Sequence, residues 1–229
     1  MPRHLTVVAI LAAIALPLAA QTKPAAAPAW KTAIEARRQQ LIQKNGYGTD
    51  SALRTQLMQM RSTDQTARGF APSSATKKEM MQKLPVTDAE LTGELKQIVQ
   101  QKGWPTIALV GIDASNAAML ILTHTADHAW QRRMLPQLEQ LADTGKIDPS
   151  SLAFVVDKEL VAEGKLQRYG TQFKYINGGL AMYGVEDPGG LDTQRARALL
   201  PPIGVYKQQL TAMYHIPASK QIISAAPQN

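Results

Sequence analysis

Apolar residues along the chain recur mostly at helical spacing, and the breaks between them are marked by Gly, Pro, Asn and Asp. Trp30, Ile34 and Leu41 make a modest stripe that stops near Asn45-Gly46, so a first helix is expected over residues 30–44. Asp50 or Ser51 can cap a second helix whose Leu53, Leu57 and Met60 stand at i, i+4 and i+7. Continuing that rotation brings Asp64 and Arg68 onto or beside the apolar face, an unusual place for charge. Residues 69–85 read as a punctuated connector. Thr87 and Glu90 form a capping box for a helix carrying Leu91, Leu95, Ile98 and Val99, ended by Gly103-Trp104-Pro105.

Residues 106–112 read as extended chain or a buried turn, and residues 113–122 are too uniformly apolar for a surface helix, which makes them the expected central one. A more polar helix is expected over 127–143. Another begins with Asp148 as cap and Pro149 as its first residue and runs to Gly164. After it the pattern changes. Residues 169–184 hold two strand-like runs around Asn177-Gly178-Gly179, a strong hairpin signal. Residues 192–199 and 203–214 read as helices, and residues 217–229 as a loose tail. The expected fold is mainly α, of α+β type: a single helical domain over residues 30–216 with one β-hairpin near 167–185.

The amino terminus carries a separate message. Arg3 and His4 precede an apolar run over residues 5–18, followed by Ala19-Ala20 and a Pro/Ala-rich polar stretch. That order describes a secretory signal peptide over residues 1–20, cleaved after Ala20, with a flexible leader over 21–29. The run is shorter than the ~20 apolar residues a membrane span needs. A periplasmic or secreted, soluble protein is therefore expected.

Composition narrows the chemistry. Among 229 residues there is no Cys, which excludes disulfides, thiolate metal sites and cysteine nucleophiles. The net charge of +7 is spread along the chain without a block of like charges, so it favours solubility or weak attraction to anionic envelope polymers. No nucleic-acid partner is expected, because no basic run is interleaved with aromatics.

Several segments resemble a bacterial domain-of-unknown-function family of DUF6624 type. They are Gly103-Trp104-Pro105-Thr106, an apolar helix with a histidine at its end, Ala153-Phe154 followed by Asp157-Lys158, and Gln167-Arg168-Tyr169-Gly170-Thr171-Gln172. Asp64-Gln65 with Arg68, Asp192 with Arg195, and Leu200-Pro201-Pro202 extend the likeness over roughly residues 50–206. The family pattern has an Asp-Arg pair where this chain has Asp157-Lys158, losing the bidentate fork of arginine. Its Gln-His pair has no clean counterpart around Leu122-Thr123-His124-Thr125. The resemblance implies which residues matter and implies no activity.

Three constellations carry possible chemistry. On a continuous helix His124, Asp127, His128 and Gln131 would share one face, and two histidines at i, i+4 can hold a metal. With no third ligand legible, no metal and no cofactor are expected, His124 and His128 being the only pair suited to one. Asp157 lies between Ala153 and Val161 on the apolar side of its helix, opposite a charged side of Lys158, Glu159 and Glu163. It must be paired or strongly hydrogen-bonded. Alternation would turn Gln167, Tyr169 and Thr171 to one face of the hairpin and Gln172 to the other.

The function expected from this pattern is the binding of a small polar ligand or an envelope partner, in a polar cleft between the central helices and the hairpin. Asp64, Arg68, Gln131, Gln167, Tyr169, Gln172 and Arg195 are the candidate ligand-binding residues. One alternative is a hydrolase or transferase using His124 or Asp157 as general acid–base. Another is a module in which all these groups are structural.

Overall fold

The computed structural model describes residues 6–7, 27–70 and 76–224. Nearly all of the expected signal peptide and most of the leader lie outside the described residues. The chain divides into two compact units, residues 38–159 and residues 1–37 together with 160–229. As expected, the architecture is mainly α with a small β part.

In the unit of residues 38–159, helix α1 (Ala29–Asn45) enters and is followed by α2 (Ser51–Ala67). Asp50 caps α2 by accepting from the Leu53 amide at 2.9 Å. The predicted stripe is the buried side of α2, and Leu53, Leu57, Met60 and Asp64 are its buried residues. Helix α3 (Lys77–Lys102) departs from the expectation. It starts eleven residues earlier, with a capping box made by Thr76 and Glu79 rather than by Thr87 and Glu90, and Pro85 lies inside it. A proline removes one backbone donor and crowds the preceding turn. Here the helix passes through at an exposed stretch, where Met81 and Val86 are both 60% exposed and water can take over the lost bond.

Of the two expectations for this segment, a buried turn rather than extended chain is what forms: the short helix α4 (Ile107–Val110), with Ile107 and Val110 buried. Helix α5 (Ile112–His124) is the central apolar helix, with nine buried residues, and α2 packs on it as well as on α3 and α4. Helices α6 (His128–Asp143) and α7 (Pro149–Ala162) follow. Arg38 donates through Nε to Asp148 at 3.0 Å and through Nη2 to the Ser150 hydroxyl at 3.1 Å, tying α1 to the start of α7.

The other unit holds the sheet, in the order β1-β2-β3-β4. Strands β2 (Phe173–Ile176) and β3 (Gly179–Tyr183) are the predicted hairpin, turning at Asn177 and Gly178, whose φ values of 50° and 83° suit an Asn-Gly turn. Strand β1 (Thr6–Val7) pairs antiparallel with β2. The segment expected as a loose tail instead forms β4 (Ala218–Ile223), parallel to β3. Helices α8 (Leu191–Arg197) and α9 (Ile203–Tyr214) pack on each other, and α9 also packs on β4.

Candidate functional site

At the ends of α2 and α5 a charged cluster closes over the core. Asp64 continues the buried stripe of α2, and Arg68 stands one turn further on, as the residue that ends the helix. His124 is the last residue of α5. The Asp64 carboxylate is wholly buried and takes three side-chain contacts. His124 Nδ1 lies 2.6 Å from Oδ1, Arg68 Nε donates to Oδ1 at 3.1 Å, and Gln65 Nε2 donates to Oδ2 at 2.8 Å. Arg68 Nη2 donates to Asp88 Oδ1 of α3 at 2.6 Å.

Arg68 Nε is also 3.0 Å from His124 Nδ1, but that atom cannot donate to Asp64 and accept from Arg68 at once. The shorter contact, to an ionised carboxylate, places the proton on Nδ1 and leaves Arg68 Nε to Asp64. His124 Nε2 is then the bare acceptor of a neutral ring, buried and without a hydrogen-bond partner among the described residues.

The electrostatics agree with a neutral ring. Burial, the largest effect, pushes the His124 pKa down, as does Arg68; the bond and charge of Asp64 oppose them, and the net direction is down. For Asp64 burial is again the largest effect and raises the pKa. The His124 bond, the positive charge nearby and the Gln65 bond together outweigh it, holding the carboxyl below the usual range. Asp64 is thus an anion and His124 a neutral base at neutral pH. Arg68 and Asp88, with 12% and 15% of their side chains exposed, mark where the cluster meets water.

Helix α7 adds Lys158, whose Nζ donates to the Thr123 carbonyl at 2.5 Å. Gln131 Nε2 of α6 donates to the Leu122 carbonyl at 2.8 Å. Together they satisfy two carbonyls at the C-terminal end of α5. Burial lowers the Lys158 pKa, and the charge of Arg68 lowers it too, against the opposing pull of Glu159 and Asp88. Neither Asp88 nor Lys158 was among the candidate site residues. In sequence Asp88 falls inside the expected Thr87–Glu90 capping box, and Lys158 on the charged side of its helix.

His124 and His128 do not share a helix face. Residues 125–127 break the helix between α5 and α6, so the i, i+4 geometry is lost, and each ring takes its own carboxylate. His128 Nδ1 lies 2.7 Å from Glu159 Oε1, and Arg132 Nη1 donates to Glu159 Oε2 at 3.0 Å. Glu159, expected on the charged face of α7, is buried. No group of three or more His, Cys, Asp or Glu side chains able to hold a metal occurs among the described residues. Asp157 is wholly buried on α7, next in sequence to Lys158.

The remaining candidates form a network inside the unit that holds the sheet. Residues 167–172 precede β2, so strand alternation does not govern them: Gln167, Thr171 and Gln172 are all buried. Gln167 Nε2 donates to the Tyr183 carbonyl at 2.7 Å, and its Oε1 accepts from the Gln172 amide at 2.9 Å. The wholly buried Arg195 donates to the carbonyls of Pro201 at 2.7 Å and Tyr169 at 2.6 Å, with its guanidinium 4.8 Å from the centre of the Tyr206 ring. These side chains serve backbone carbonyls and amides, as staples between loops and the sheet do.

A mainly helical chain with a buried histidine–carboxylate pair at the end of its central helix is thus defined. Residues 50–218 match the family described as "Family of unknown function (DUF6624)", and the chain belongs to that family. The match runs from the cap of α2 to the first residue of β4 and covers the whole cluster. No curated protein and no solved structure matches the chain.

Proposed function

We propose that the protein binds a small polar ligand at the Asp64–Arg68–His124–Lys158 cluster and acts on it by acid–base chemistry, as a hydrolase or transferase. One observation carries this reading: a neutral histidine whose Nδ1 proton is held by a buried carboxylate and whose Nε2 has no partner. A histidine oriented in this way is prepared to take a proton at Nε2 while the carboxylate stabilises the imidazolium that forms. Leaving a buried acceptor unpaired costs roughly 1–3 kcal/mol, which a proton or ligand donor at Nε2 would relieve.

In this reading His124 is the general base and Asp64 its positioning residue. Arg68 and Lys158 lie where they can stabilise negative charge on the ligand. The test is a hydrolysis screen with chromogenic carboxyl-ester, phosphoester and amide substrates, comparing wild type with His124→Gln after both are shown to fold. Turnover of one class that falls roughly 10²–10⁴-fold in the variant is expected. Turnover of none of the three, or equal turnover by both proteins, overturns the reading. The amino-terminal pattern supports an exported protein cleaved after Ala20, and amino-terminal sequencing of the mature chain tests that.

A further inference from the structure

Two cations stand at the end of α5, Arg68 against His124 and Lys158 against the Thr123 carbonyl, and they are engaged differently. Arg68 is matched by carboxylates on two sides, with Asp64 at 3.1 Å and Asp88 at 2.6 Å. Lys158 forms no ion pair among the described residues, and its ammonium group meets one acceptor, the Thr123 carbonyl. It is nonetheless partly buried. An ammonium group has three protons to donate, and the carboxylates of Glu159 and Asp88 attract Lys158 without lying within ion-pair distance of it. The carbonyl at the end of α5 accounts for one proton and for part of the charge, through the negative end of the helix dipole. A complete anion would serve the others.

The position matters as much as the charge. The carbonyl that Lys158 holds belongs to Thr123, the residue before His124, so the ammonium group is fixed to the same helix end as the proposed base. From these observations we infer that Lys158 is the anion anchor of the His124 site, and that its ligand carries a carboxylate or phosphate group. This rests on the reading of the cluster as a binding site. Anchoring an anionic group on Lys158 would hold the rest of the ligand beside the end of α5, where His124 is.

The test uses the full chain with sodium phosphate and sodium acetate as separate probes over a constant chloride background. Calorimetric titration reads the affinity, and long-range ¹⁵N spectra read the His124 ring. The decisive variant is Lys158→Gln, which can still donate to the Thr123 carbonyl but carries no charge. Lys158→Arg is the conservative rescue. One probe is expected to bind saturably and shift the His124 nitrogens. Its affinity should fall about tenfold or more in Lys158→Gln, the loss of one charge-assisted contact, and recover in Lys158→Arg. Preference for phosphate or acetate identifies the group.

Failure of both probes to saturate, or equal affinity in wild type and Lys158→Gln, overturns the assignment of the anchor. If turnover still depends on His124 in that event, the acid–base reading stands without it. If the anion binds through Lys158 while turnover ignores His124, the acid–base reading falls and the anchor remains.

Discussion

Replacing Asp64 with Asn keeps the side-chain shape and removes the charge on which the cluster converges. The carboxylate takes hydrogen bonds from His124, Arg68 and Gln65 at 2.6, 3.1 and 2.8 Å. An asparagine could accept at one oxygen, but its amide would then turn donor against donor toward Gln65 Nε2. Hydrogen bonds involving a charge contribute about 1.5–3 kcal/mol each, and breaking a buried ion pair costs about 3–5 kcal/mol. Arg68 keeps Asp88 at 2.6 Å, which places the expected loss near the lower end, at about 3 kcal/mol. In a chain of this length 1 kcal/mol moves the unfolding midpoint by roughly 2–4 °C, so the midpoint should fall by roughly 6–12 °C. Calorimetry of the purified protein reads it, and ¹⁵N spectra should show the His124 proton no longer fixed on Nδ1. A loss below about 1 kcal/mol would refute the count of hydrogen bonds, and a gain would mark a site held at the expense of stability.

Two further outcomes follow from the same structure. The pKa values of His124 and Asp64 both lie below their unfolded values, so each group binds fewer protons folded than unfolded, and each contribution is lost as the pH falls. Stability should decline first as the pH drops below ~6.5, the ordinary histidine value, and again below ~3.9, the ordinary aspartate value. His124→Gln should abolish the first step in pH-dependent denaturant titrations, and an unchanged profile would contradict the neutral ring. Gly48→Ala should be severely destabilising, by about 3 kcal/mol or more. Its φ is +91°, and a Cβ there would lie 2.4 Å from the Gly111 nitrogen and 2.5 Å from the Val110 carbonyl carbon, both backbone; a midpoint within 2–4 °C of wild type, the shift of about 1 kcal/mol, would disprove the clash.

Local pattern predicted local structure well where burial set the spacing. The stripe of Leu53, Leu57 and Met60 pointed directly at Asp64, because an α-helix puts i+4 on the same face whatever the residue type. The Asn177-Gly178 turn needed only two residues with positive φ. The start of α3 was missed because Pro85 reads as a boundary, a rule that an exposed helix can break at limited cost. Strand β4 was missed for another reason. Its partner β3 lies some 40 residues back, and its mostly exposed side chains give no alternation to read.

The composition of the site was harder to read than its location. His124 and Asp64 were each legible as odd polar residues at the edge of apolar helices, but their pairing spans 60 positions and depends on the packing of α2 against α5. Asp88 fell inside an expected capping box and Lys158 on the charged side of its helix, quoted only as the departure from a family motif, and only the fold brings them to the end of α5.

The same geometry bears on the choice between a structural network and the proposed site. In the unit with the sheet, Gln167 and Arg195 are directed at backbone carbonyls and amides, which is what holding loops in place requires. The cluster in the other unit is different. Only Lys158 and Gln131 serve the backbone there, while Asp64, Arg68, Asp88 and His124 serve one another. A network built for stability alone is better replaced by apolar side chains, because buried charges rarely recover the cost of leaving water. Four ionisable groups joined in one network, one of them a histidine with an unused nitrogen, are expensive as a staple. In the proposed reading they supply what proton transfer needs: a base held neutral, its proton fixed on the far nitrogen, and a cation beside it.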